Sequence, residues 1–187
     1  MEPFRSVRGG GARARLAAAE ASLLRSLVGQ IMSLVESEGP ADHPAGERDD
    51  DLSALEAMLH GPGADTIPED PVLARLLPDA YRDDPEAAGE FRRYTEPALR
   101  SAKHQAAQEM LDTLPEAGGR IQLTQDQALS WLKALNDVRL ALGVRLGVTE
   151  EFEEQWGQLP ADDPQWAAYE VYAWLGAVQE SLVQALA

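Results

Sequence analysis

Apolar positions recur with helical spacing over most of this chain. Between Thr124 and Leu146, residues Ala128, Leu132, Leu135, Leu142 and Leu146 fall at steps of three, four or seven and line one face. Trp131, Val138 and Ala141 widen it. Thr124 and Gln127 have the spacing of a capping box, and Gly147 stands where a left-handed glycine would stop the helix. At ~1.5 Å rise per residue the stretch spans roughly 34 Å, so it should run through the core with other helices on it. A second stripe covers 17–37 (Leu23, Leu24, Leu27, Ile31, Leu34, Val35). A third covers 164–186 (Ala168, Tyr172, Leu175, Val178, Leu182, Leu186), where Trp166, Tyr169 and Trp174 add bulk suited to core filling or a homodimer contact.

Proline punctuates the rest. Asp70-Pro71, Asp84-Pro85 and Asp163-Pro164 each read as an N-cap followed by proline at the first helical position. The first starts a short helix through Leu77, with Leu73, Leu76 and Leu77 inward. The second starts a helix that Pro97 should end, with Thr95 capping a new one through Ala98, Ala102, Ala106, Met110 and Leu114. Short helices are also predicted at 51–60 and 149–159. Residues 38–50 read as a flexible loop. Residues 1–15 read either as a β-hairpin about Gly9-Gly10-Gly11 or as a flexible basic arm. The segments 13–24 and 120–131 echo each other. If Ala14–Leu16 paired with Ile121–Leu123, the helices after them would enter the core side by side. The expectation is a mainly α, compact multi-helix domain over 1–187, with roughly six or seven helices and a short β-hairpin element.

Composition narrows the function classes. The chain is 44% hydrophobic but only 6% aromatic, with a formal charge of −16. Such a surface repels nucleic acid and anionic membranes and suits a basic protein partner, so direct nucleic-acid binding is disfavoured. The absence of cysteine removes disulfides, thiolate catalysis and thiol switching. No apolar run approaches ~18 residues and no secretory signal is evident, which points to the cytoplasm and away from a membrane. His43, His60 and His104 lack metal-site spacing, and Asp49-Asp50-Asp51 are explained as helix-capping acids. There is no phosphate loop and no nucleophile elbow. Neither an enzyme nor a cofactor nor a metal site is expected.

Two polar groupings remain. Arg139 falls on the apolar stripe beside Asn136 and Asp137. These three read as structural polar residues, Arg139 either running its stem over apolar surface, pairing with an acid of another helix, or meeting a partner. The stretch 79–96 mixes Arg82, Arg92 and Arg93 with Asp79, Asp83, Asp84, Glu86 and Glu90, anchored by Tyr81 and Phe91. Tyr81, Arg82, Arg92 and Arg93 are the candidate partner-binding residues. The N-terminal Arg5, Arg8, Arg13 and Arg15 suit either a polyanion or the protein's own acidic surface, and the second is the expectation.

Residues 70–96 (DPVLARLLPDAYRDDPEAAGEFRRYTE), 131–148 (WLKALNDVRLALGVRLGV) and 15–30 (RLAAAEASLLRSLVGQ) resemble an actinobacterial family, once catalogued only as a domain of unknown function, that includes oxidative stress regulators of the AosR type. The resemblance implies a non-enzymatic cytoplasmic regulator that contacts a protein such as a sigma factor or RNA polymerase in stress-response transcription. The alternative is an adaptor or scaffold for a protease or cysteine-biosynthesis complex. A thiol-based sensor cannot operate in this chain, which leaves the signal it senses to be found.

Overall fold

The computed structural model describes residues 1–36, 66–81, 83–150, 156–157, 159–160 and 162–187. The predicted 38–50 loop, the 51–60 helix, Arg82 and most of the 149–159 helix lie outside the described residues. In chain order the elements are β1 (Glu2–Ser6), β2 (Ala12–Leu16), α1 (Ala18–Glu36), α2 (Pro71–Leu76), α3 (Pro85–Thr113), β3 (Gly119–Leu123), α4 (Gln125–Leu146) and α5 (Trp166–Leu186). The fold is mainly α with one small antiparallel sheet of strand order β1-β2-β3.

Helix α4 is the hub, with α1, α2, α3 and α5 packed on it. Trp131 at its centre is fully buried. Its ring meets Phe4 of β1 edge-on at 5.7 Å, and its Nε1 donates to Thr113 Oγ1 of α3 at 2.7 Å. One indole thus joins sheet, long helix and hub, with its polar atom satisfied. The buried stripe runs through Ala128, Trp131, Ala134, Leu135, Val138 and Ala141. Leu132 and Leu142, expected at its centre, are half-buried at its edge. The apolar face is broad, and the largest side chain sets which line of it points inward.

The ends of the helices follow their side chains. Thr124 Oγ1 accepts from Gln127 N at 3.2 Å, while Gln127 Oε1 accepts from Thr124 N at 3.0 Å. Gly147 closes α4 at φ 64°. Asp70 caps α2 and Asp84 caps α3. Asp163 instead supports a turn, accepting from Gln165 N at 2.8 Å, and α5 begins at Trp166.

The two echoing segments do pair, antiparallel and offset from the register considered in the sequence: Ala14 lies opposite Ile121, but Leu16 lies opposite Gly119 and Leu123 opposite Ala12. Strand β1 carries an irregularity between Glu2 and Arg5, and this is where Pro3 sits. Proline cannot donate to a ladder, so a bulge in an edge strand suits it. The hairpin turn needs glycine at position 11, where φ is +91° and an added Cβ would lie 2.1 Å from the Leu123 carbonyl oxygen.

Pro97 does not divide α3. The helix runs unbroken for 29 residues. Proline removes one backbone hydrogen bond. Here side-chain pairs one turn apart bridge the defect, Arg92 to Glu96 at 2.6 Å and Arg100 to Glu96 at 2.7 Å.

Candidate functional site

The corner predicted at 79–96 is built where α2 ends and α3 begins. Helix α2 stops at Leu77, whose carbonyl turns toward α3 and accepts from Arg92 Nη2 at 2.9 Å. The same guanidinium donates to Asp79 Oδ1 from Nη2 at 2.6 Å and from Nε at 3.2 Å, and its Nη1 donates to Glu96 Oε2 at 2.6 Å. Glu96 Oε1 in turn accepts from Arg100 Nε at 2.8 Å, and Arg100 Nη1 donates to the Val35 carbonyl near the end of α1 at 2.8 Å. A chain of charges therefore ties α1, α2 and α3 together. Arg92 and Glu96 are each 5% exposed. Burial works against the Arg92 charge, but the hydrogen bonds and charges of Asp79 and Glu96 outweigh it, so the guanidinium is held above its ordinary value.

This corrects the reading of Arg92 as a contact residue. A guanidinium enclosed by two carboxylates and a carbonyl has no face left for a partner, so Arg92 holds the corner in shape. Arg93 is half-buried. Tyr81 is half-exposed and meets Phe91 edge-on at 5.8 Å. Tyr94 is 63% exposed, the most open aromatic at the corner. Sequence reasoning passed over it, although its spacing of three from Phe91 placed it on the same helical face. Asp83, Asp84, Glu86 and Glu90, which lie between Tyr81 and Phe91 in sequence, are all exposed. The outward chemistry of the corner is aromatic and acidic, resting on a rigid buried ion network.

The three residues read as structural polar groups separate. Asp137 is buried and takes Lys103 Nζ at 2.7 Å, joining α4 to α3. Burial holds its carboxyl above the ordinary value, with the Lys103 hydrogen bond and charge opposing that rise. Arg139 is half-buried, donates from Nη1 to Gln179 Oε1 of α5 at 2.6 Å and stacks 5.4 Å from the Tyr172 ring centre. Its partners are an amide and an aromatic face where an acid had been one expectation. Asn136 is exposed and belongs to neither arrangement. Between α3 and α4 lies an open hollow of about 280 Å³ lined by Ala102, Gln105, Leu129 and Lys133 among others. Among the described residues no group of three or more His, Asp or Glu is placed to hold a metal ion, and no helix is long and apolar enough to cross a membrane.

Residues 1–186 match a family profile described as a domain of unknown function (DUF2017). The chain belongs to the DUF2017 family. It is also 38% identical over 187 residues to proteins of Mycobacterium bovis and Mycobacterium tuberculosis named "Oxidative stress regulator AosR". The alignments cover 93% of this chain and 81% of each mycobacterial chain. No solved structure matches. The DUF2017 match takes in the hub helix, the buried corner and the three strands.

Proposed function

We propose that this chain is a non-catalytic regulator of the stress response that works in the cytoplasm by binding a protein, a sigma factor or RNA polymerase engaged in stress-response transcription. The observation that carries this reading is its extensive similarity to mycobacterial proteins named as oxidative stress regulators. The corner gives the reading a surface. Its exposed Tyr81, Phe91 and Tyr94 supply the large rigid anchors that protein interfaces favour, and the exposed carboxylates between Tyr81 and Phe91 in sequence suit a basic partner.

The test is direct capture of purified sigma factors and RNA polymerase by the immobilised chain, compared with a Phe91→Ser/Tyr94→Ser variant. Because Phe91 is 45% and Tyr94 63% exposed, the variant should melt with the wild type and lose at least about tenfold in capture, as hot-spot aromatics do. Equal capture by both proteins would remove the corner from the interface. No capture of any transcription component would end the reading.

A further inference from the structure

The sheet has an outer face that is left exposed among the described residues. Inward it presents Phe4, Ala12, Ala14, Leu16, Ile121 and Leu123 to the core. Outward, in the middle strand, it presents Arg13 and Arg15. Arg13 lies opposite Arg5 of β1 on one side and Gln122 of β3 on the other. Arg15 lies opposite Glu2 and Arg120. All six of these residues are exposed. Four guanidiniums thus share one small face with a single carboxylate. Along a strand they stand ~7 Å apart and across strands ~5 Å apart.

Like charges directly opposite each other destabilise a strand pair. Relief would be easy in a chain with 32 acidic residues, yet among the described residues none of the four side chains has a hydrogen-bond or ion-pair partner. Glu20, which follows the hairpin, gives one oxygen to the Met1 ammonium and the other to the Ala17 amide. The expectation that the basic arm docks on the protein's own acidic surface is therefore not what the described residues show. The arm is a built sheet with its arginines turned outward.

The chemistry of the face narrows its ligand. It carries no aromatic ring on which bases could stack, since Phe4 is turned inward against Trp131. A duplex, with one charge per ~1.7 Å, would run past a face only about 10 Å wide and meet the remainder of a chain whose net charge is −16. A short extended peptide stays within the face. Its alternate side chains, ~7 Å apart, match the spacing of Arg13 and Arg15. We propose that the outer face of the sheet binds an extended acidic segment of a protein partner, whose carboxylates pair with the forked guanidiniums of Arg5, Arg13, Arg15 and Arg120. This second interface is opposite in charge to the aromatic corner and does not depend on it.

The test uses the full chain and a labelled peptide of about ten residues alternating Glu and Thr, titrated at low and physiological salt beside a duplex DNA of similar charge. The wild type should bind the peptide more tightly than the duplex, and more weakly as salt rises. Arg13→Thr/Arg15→Thr should lose at least about tenfold in peptide affinity and melt no lower than wild type, because it removes opposed like charges and adds a good strand former. Phe91→Ser/Tyr94→Ser should bind the peptide as wild type does, so failure at either surface can be told from failure at the other. Unchanged affinity in the threonine variant, tighter binding of the duplex, or a lowered melting point that marks the arginines as supports would each overturn the proposal.

Discussion

At the scale of single residues, the buried charges carry the clearest consequences. Replacing Arg92 with Met would leave Asp79, Glu96 Oε2 and the Leu77 carbonyl without their donor, and breaking a buried pair in this way costs about 3–5 kcal/mol. Urea denaturation should show that loss, and the variant's corner should loosen with it. Phe4→Ala should cost a similar ~3–5 kcal/mol by opening a cavity against Trp131. Asp137 gives a pH signature. Its carboxyl is raised above the ordinary 3.8, so the folded state holds the proton more tightly than the unfolded one. That contribution is full below the unfolded value and is lost as pH rises through the raised folded one. Measured by denaturation from about pH 3.8 upward, wild type should lose ground to Asp137→Asn, whose amide does not ionise.

At the scale of elements, α3 shows what a sequence reading holds and what it misses. The start of that helix was legible because Asp84 and Pro85 act locally. Its continuity was not, because the ladder that spans Pro97 depends on side chains whose geometry appears only once Asp79 and the Val35 carbonyl are in place. Pro97→Ala restores a backbone donor within an existing helix and should stabilise by roughly 1–3 kcal/mol, read as a shifted urea midpoint. Gly11→Ala should do the reverse, since its Cβ would strike the Leu123 carbonyl and undock the hairpin from β3. The capping box and the hub helix could be read from local pattern, whereas the β2–β3 pairing, which joins distant segments, stood only as a condition. The interior position of Arg92 could not be read, because an arginine within a helix and among acidic neighbours looks the same in sequence whether its carboxylates enclose it or leave it to solvent. Tyr94 was readable by spacing and was hidden by attention to the arginines around it.

At the scale of the whole molecule, charge is divided unevenly. A chain with 16 basic and 32 acidic residues sets four exposed arginines on one sheet face and exposed carboxylates at its aromatic corner. If the corner meets a basic partner, capture should weaken steeply between low salt and ~0.15 M, where the screening length is about 8 Å, and the loss should fall mainly on the association rate. The sheet also sets a timetable for the birth of the protein. The amide of Phe4 donates to Ser181 Oγ, 177 positions later, and β2 waits for β3. At a synthesis rate of ~5–20 residues per second, the first strands stand outside the ribosome for on the order of ten to forty seconds before their last partner exists. For that interval the sticky underside of the hairpin is open to chaperones and to neighbouring nascent chains. The first residues of the molecule are thus among the last to find their place.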